Sequence, residues 1–152
     1  MDEKKLKKYL KKNIKPAANI TNDMIEVVDY EYSGKVDVDI VIENNEFTSV
    51  CPRTGFPDFG KITLQYTPDK KIIELKSLKY YLLQYRNTGI FYEHIVNKIL
   101  NALIQLVQPK FMKVTGEFTI RGGIKTPTKT HYSSKSFKSD SAKPQQGPDP
   151  RD

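Results

Sequence analysis

The hydrophobic period of this chain changes twice, and that change limits the folds open to it. In KVDVDIVIE (35–43), Val36, Val38, Ile40 and Ile42 alternate with mostly polar residues, the spacing of a half-buried strand. Ile62, Leu64 and Tyr66 alternate in the same way with Thr63, Gln65 and Thr67, and Pro68-Asp69 ends that run. MIEVVDYEY (24–32) is rich in strand formers. The period then turns helical. Leu75, Leu78, Leu82 and Tyr85 share a face that Asn87-Thr88-Gly89 closes, and Phe91, Ile95, Ile99, Leu103 and Leu106 mark a longer amphipathic helix over 90–107, stopped by Pro109. Alternation returns in KVTGEFTI (113–120), and IKTPTKTHY (124–132) predicts a last exposed strand, with Pro127 favouring an edge. Strands, two helices, then strands is the order of an α+β domain with both helices on one face of a sheet of about four strands. A sheet with a long open edge invites pairing, so an oligomer is expected.

The 152 residues suffice for one domain with a real core. Cys51 is the sole cysteine and cannot form an internal disulfide, and no hydrophobic leader is visible, which together lead us to expect a reduced, cytoplasmic setting. No apolar run approaches the roughly 20 residues of a membrane span, so no membrane partner is expected. The net charge of +7 is unevenly spread. Residues 1–15 hold seven lysines against Asp2 and Glu3 (+5), residues 133–152 hold four basic and three acidic groups (+1), and 7 − 5 − 1 leaves +1 for residues 16–132. A nucleic-acid binder usually concentrates basic charge on a folded face, so no direct nucleic-acid binding is expected. The divisions that follow are a lysine-rich extension over 1–20, a folded domain over 21–132, and a Ser-, Pro- and Gln-rich tail over 133–152 expected to be disordered.

Cys51 stands in SVCPRTGFPDFG (49–60), where Pro52 and Pro57 fix φ and Gly55 permits a turn. We read this segment as a stiff loop joining a strand that ends near Phe47 to one that begins near Phe59. A single cysteine is most often a small buried hydrophobe. Here Arg53 is placed to favour a thiolate, and Asp58 at the far end of the loop can turn back toward the thiol. A thiol beside a carboxylic acid is a nucleophile with a proton donor.

ELKSLKYY (74–81), taken alone, is the start of a lysine-bearing amphipathic helix. It also resembles the signature Glu-(Ser/Leu)-Lys-(Ser/Ala)-apolar-Lys-(Leu/Tyr)-aromatic of the NADPH-dependent 7-cyano-7-deazaguanine reductases, the nitrile reductases of queuosine tRNA modification. FTSVCPRTGFPDFG, YRNTGIFYEHIVNKI and GEFTIRGG resemble further blocks of that family, in order, over Glu46 to Gly123. The resemblance implies a tunnelling fold (T-fold), an antiparallel four-stranded sheet with two helices on one face. It also implies subunits joined edge to edge into rings, commonly two stacked pentamers, with sites between subunits.

It further implies a four-electron reduction of the nitrile of 7-cyano-7-deazaguanine to 7-aminomethyl-7-deazaguanine by two NADPH. Cys51 and Asp58 would be catalytic, the thiol forming a covalent thioimide and the acid protonating its nitrogen. Ile73, Glu74, Leu75, Tyr92 and Glu93 would bind substrate, the two carboxylates accepting from the N–H groups of the base. Lys76, Lys79, Arg121 and Gly122 would bind the cofactor. The residue before the second glutamate is often histidine in this family; here it is Tyr92, which cannot shuttle protons near neutral pH as imidazole can. His94 is a surface or interface histidine by its helical offset. No metal site is expected, because Cys51, His94 and His131 are a poor ligand set for a zinc cyclohydrolase. The rivals are an amidine-forming relative on the same fold, which lacks the lysine-bearing octapeptide, and a non-catalytic base-binding oligomer.

Overall fold

The computed structural model describes residues 2–135 and 137. In chain order the elements are α1 (Glu3–Lys12), β1 (Lys15–Pro16), a 3-10 turn (Ala17–Asn19), β2 (Val27–Asp29), β3 (Ile40–Val50), β4 (Pro57–Thr67), β5 (Lys71–Ile73), α2 (Leu75–Leu83), β6 (Thr88–Gly89), α3 (Tyr92–Val107), β7 (Phe111–Phe118) and β8 (Thr128–Ser133). The class is α+β, as the periodicity implies. The main sheet has six strands rather than four, in the order β1-β6-β3-β4-β7-β8. Its four longer strands pair antiparallel, whereas β1 pairs β6, and β6 pairs β3, in parallel. The two added strands are two residues each, too short to carry an alternation that sequence reading can detect.

The core lies between one sheet face and the two later helices. Ile62, Leu64 and Tyr66 of β4, with Met112 and Val114 of β7, meet Leu78, Tyr81 and Leu82 of α2 and Ile95, Ile99 and Leu103 of α3, all buried. Pro109 ends α3, with Gln108 in the left-handed region at φ 49°. Two positions in the expected helical stripes lie outside the core: Leu75 and Phe91 are exposed because each sits at the start of its helix. The phenols of Tyr81 and Tyr85, both buried, satisfy one another at 2.9 Å, and burial pushes the Tyr81 phenol up to about 12.

Three strand boundaries differ from the sequence reading. Only Val27–Asp29 of 24–32 is strand, because its partner β5 is three residues long and the pair forms a separate small sheet. Val36 and Val38 are exposed, since β4 stops at Pro68 and no strand reaches beyond Ile40↔Tyr66. In the other direction β3 runs past Phe47 to Val50, through an irregularity. Asn44 pairs Ile62 while Phe47 pairs Gly60, so three residues of β3 span two of β4. This is a β-bulge, and the Asn44 side chain accepts the Glu46 N–H at 2.9 Å to hold it.

The bulge shifts the phase of the alternation by one. Ile40 and Ile42 face the core before it; Phe47 and Ser49 do so after it, opposite Gly60 and Asp58. Cys51 is next in that second series.

Pro127 directly precedes β8, which forms one edge of the sheet, and β1 forms the other. The strand β8 extends to Ser133, and the Ser134 N–H reaches the Lys110 carbonyl at 2.9 Å. The rest of the expected tail, apart from Lys135 and Phe137, lies outside the described residues. Among the described residues no helix is long and apolar enough to cross a membrane.

Leu103 is fully buried at the centre of the helix–sheet interface. Leu103→Ala is expected to lower stability by about 3 kcal/mol, the usual cost of a buried leucine lost to a cavity, as read from the urea midpoint.

Candidate functional site

Strands β3 and β4 meet in a short reverse turn rather than a long loop. The Cys51 N–H donates to Phe56 O (2.9 Å) and the Gly55 N–H donates to Cys51 O (2.8 Å), so the turn occupies only 51–56. The strands that flank it are extended by three residues on one side and two on the other compared with the sequence reading, because Val50 pairs directly with Pro57.

The turn folds its own donors onto the thiol. Burial pushes the Cys51 thiol up, but the Thr54 hydroxyl and the N–H groups of Thr54 and Arg53 outweigh it, even against the Asp58 charge, and hold the thiol below its ordinary value. Thr54 was not singled out by sequence reading. Its signal was present in the spacing Cys-x-x-Thr-Gly, which is a turn with a hydroxyl at its third step. Arg53, expected to favour the thiolate by its charge, does so here through its main-chain N–H.

Asp58 lies on the core side of β4, at the end of the row Tyr66, Leu64, Ile62, Gly60. It is 5 % exposed. Its Oδ1 accepts from two donors: the Tyr92 hydroxyl at 2.9 Å and Arg121 Nη2 at 3.0 Å. Arg121 also donates to Pro57 O at 2.7 Å. The family resemblance implies a cofactor role for Arg121; in the folded chain its guanidinium lies against the acid. Opposite Asp58 on β3, Ser49 is fully buried, and its hydroxyl has no partner among the described residues.

Tyr92 is placed by an aromatic platform. Its ring stacks on Phe118 with centroids 3.9 Å apart and planes within 1°. Phe118 can lie there because residues 60 and 116 are glycines: a Cβ at Gly60 would stand 2.6 Å from Phe118 Cδ1, and one at Gly116 2.7 Å from Cε2. Burial raises the Tyr92 phenol, the hydrogen bond and charge of Asp58 raise it further, and Arg121 opposes. The phenol therefore stays protonated through neutral pH and remains a donor. It cannot cycle protons as a histidine would.

These groups surround a cavity of about 300 Å³ lined by Cys51, Thr54, Asp58, Tyr92, Glu93 and Arg121, with Pro52, Ile90 and Phe91 as apolar wall. Glu93 stands in the first turn of α3, whose N-terminus favours negative charge. Cys51, Asp58, Tyr92, Glu93 and Arg121 are thus brought together. Ile73, Glu74, Leu75, Lys76, Lys79 and Gly122 do not line this cavity.

Glu74 is the N-cap of α2, and its two oxygens accept the N–H groups of Lys76 (2.8 Å) and Ser77 (2.7 Å). Those bonds hold its carboxyl below the usual range. An ionised carboxylate has about four acceptor sites, so the cap leaves Glu74 capacity for further donors. Ile73 is buried in the core. Lys79 lines a separate depression of about 400 Å³ with Leu75, Leu78, Leu82, Glu43 and Asn44, and Gly122 sits in the turn after β7 with φ 57°. Lys76 and Lys79 are exposed, and neither forms an ion pair among the described residues. Of the two histidines, His94 is exposed with its ring edge-on to Phe91, and His131 lies on β8 opposite Lys113.

Comparison with known proteins shows the family and the fold. The family model described as QueF-like protein matches residues 57–137. The chain is 54% identical over 110 residues to the NADPH-dependent 7-cyano-7-deazaguanine reductase of Chloroherpeton thalassium, covering 72% of this chain and 94% of that protein. It is 54% identical over 114 residues to the protein of the same name from Chlorobaculum tepidum, covering 75% and 97%. A third, from Elusimicrobium minutum, is 50% identical over 127 residues, covering 84% and 95%. Among solved structures, the archaeosine synthase QueF-Like in the apo form superposes with a TM-score of 0.56 over 64% of this chain and 94% of that one, at 20% identity. That last likeness concerns the fold alone.

Because Cys51 has a lowered thiol pKa, more of it is thiolate near neutral pH than of a free cysteine, and its alkylation should reach half its plateau rate at a lower pH. Thr54→Val removes one of the donors. The midpoint of the pH–rate curve with iodoacetamide is expected to move up, with less thiolate and a slower reaction near neutral pH.

Proposed function

Since this chain belongs to the family of the NADPH-dependent 7-cyano-7-deazaguanine reductases, we propose that it reduces the nitrile of 7-cyano-7-deazaguanine to the aminomethyl group, in queuosine tRNA modification. The observation that carries the reading is the facing of a donor-stabilised thiol and a buried carboxyl across one cavity of ligand size, with a second carboxylate at its rim.

Cys51 Sγ bonds to the nitrile carbon, the proton that leaves the thiol is taken up by Asp58, and Asp58 passes that proton to the nitrogen, leaving a thioimide on the protein. A free nitrile is a poor hydride acceptor and a protonated thioimide a good one, so covalent capture replaces one difficult step with easier ones. Asp58 Oδ1 holds two donors in this structure. To deliver a proton it exchanges the Arg121 guanidinium for the substrate nitrogen, while Tyr92, anchored on Phe118, keeps the carboxyl aimed at the cavity. Glu93 accepts from the N–H edge of the base. Arg121 is half exposed, so solvent can replace Asp58 at its guanidinium.

Exposed Lys76 and Lys79, three apart on one face of α2, fit the phosphates of a dinucleotide, with Arg121 and the Gly122 turn completing the set. Bound NADPH supplies the hydride, two molecules serving the four-electron reduction. The protein works in the cytoplasm, where NADPH is available and the lone thiol stays reduced.

Glu74, Leu75, Lys76 and Lys79 stand apart from the Cys51 cavity within one subunit, and the Ile73 side chain lies in the core. A homo-oligomer, a ring of T-fold subunits commonly of two pentamers, unites the two halves of the site. The exposed edge strand β8, and Val41 and Phe59 on the uncovered sheet face, support association.

Incubating the protein with 7-cyano-7-deazaguanine should add the substrate mass to Cys51, and NADPH should then be consumed. Cys51→Ala should lose both, and Asp58→Asn should bind the nitrile yet reduce it at least a hundredfold more slowly. An adduct without NADPH consumption would favour the amidine-forming reading, and neither signal a pure binder. If sites lie between subunits, mixing inactive Cys51→Ala with inactive Glu74→Ala under exchange conditions should restore up to about a quarter of native activity. Two halves from one subunit would restore none.

A further inference from the structure

The lysine-rich start of the chain is docked on the nucleophile turn. Helix α1 presents Leu6 and Leu10 four apart on one side, and Ile14 follows at the same spacing just past its end, all half-buried, while the helix lysines face solvent. Its backbone at Leu10–Lys11 lies so near Gly55 that a Cβ there would meet Leu10 Cβ at 2.9 Å and Lys11 N at 3.3 Å. Gly55 has φ 78° and its N–H closes the turn on Cys51 O. Just beyond the helix, Ile14 packs over Gly89, where a Cβ would meet Ile14 Cγ2 at 2.7 Å and Pro52 Cα at 3.5 Å. The chain then joins the sheet: the Lys15 N–H donates to Asn87 O at 2.8 Å, Pro16 pairs Gly89, and Gly89 pairs Val50, the residue before Cys51.

We propose that residues 3–16 form an arm that positions the turn carrying Cys51, with Leu10 and Ile14 as its positioning residues. One segment meets the turn directly at Gly55 through α1, and reaches its base indirectly through Gly89, which Ile14 and Pro16 hold and which lies beside Pro52 and pairs Val50. The N–H groups of Arg53 and Thr54 that stabilise the thiolate belong to the same turn, so its shape sets how well they point at Sγ. An arm that leaves would let the turn relax and those donors diverge. The proposal rests on Cys51 being the nucleophile of the reaction, and it gives the extension a task in that chemistry that its charge does not suggest.

The test uses the full chain with Leu10→Asn/Ile14→Asn, a neutral change that removes the apolar seat without adding charge near the thiol, and Leu10→Met/Ile14→Val as the conservative control. The arm contributes no fully buried helical residue, so the body of the domain keeps its core, which circular dichroism checks. Trypsin, attacking the arm lysines, reports whether the arm has detached. Iodoacetamide alkylation of Cys51 across pH separates access, read from the plateau, from thiolate stabilisation, read from the midpoint. The expected result is faster cleavage of the arm and a midpoint raised by about half a unit in the asparagine variant, with a roughly threefold slower reaction near neutral pH. Native behaviour is expected in the control. A midpoint that stays native after the arm detaches overturns the proposal, as does an arm that trypsin cuts no faster in the asparagine variant. Iodoacetamide needs no nitrile site, so this outcome is independent of turnover. Failure of the unaltered protein to form the nitrile adduct would count against the proposed reaction and not against the arm.

Discussion

One extra residue in β3 governs where the chemistry of this protein sits. The bulge between Asn44 and Phe47 turns the alternation of the strand over, so the side of β3 that carries Ile40 and Ile42 before it carries Phe47 and Ser49 after it. A strand's side chains have a period of two, and a one-residue slip moves all of them to the other face. Without the bulge, Ser49 and the position of Cys51 would be out of phase with Asp58, which holds the core-facing row of β4. With it, thiol and carboxyl come to one end of the sheet on one side. The Asn44 side chain, accepting the Glu46 N–H, stabilises the irregularity locally, so the device is built into a few residues far from the cavity.

From that alignment the site is assembled by packing more than by charge. Two small residues in neighbouring strands, Gly60 and Gly116, leave a flat bay into which Phe118 lies; Tyr92 stacks on it and reaches Asp58. The acid is therefore aimed by a stack of aromatic rings braced by backbone. On the other side the Cys51 turn is closed by its own amides and covered by the N-terminal arm. Electrostatics then does the fine adjustment: donors within the turn hold the thiol down, and the Arg121 guanidinium lies 3.0 Å from the buried Asp58 carboxyl.

Helix α2 shows why a motif and a cavity need not coincide. Glu74, Lys76 and Lys79 sit in the first turns of α2 and do not line the Cys51 cavity, and Glu74 doubles as the N-cap of its own helix. A capped carboxylate is rigid and ionised, properties that suit recognition of N–H donors as well as helix initiation. The single chain thus presents the Cys51 cavity and the depression beside Lys79 separately. That division is the physical reason for proposing that a second subunit completes the site.

What the amino-acid sequence determined alone is whatever repeats regularly or is local in the chain. Ile62, Leu64 and Tyr66 announced a core strand, Ile95, Ile99 and Leu103 a core helix, and Cys51 with Asp58 a candidate nucleophile and acid, because alternation and helical spacing are written in consecutive residues. Tertiary structure alone decided the rest. Two-residue strands β1 and β6 carry no period, the bulge breaks the one that β3 has, and the seat of Leu10 on Gly55 joins residues 45 positions apart. Arg121 likewise reaches Asp58 across 63 positions, a contact that depends on where β7 ends and not on either residue's neighbours. Periodic burial is a property of a segment, whereas close approach is a property of the packed whole.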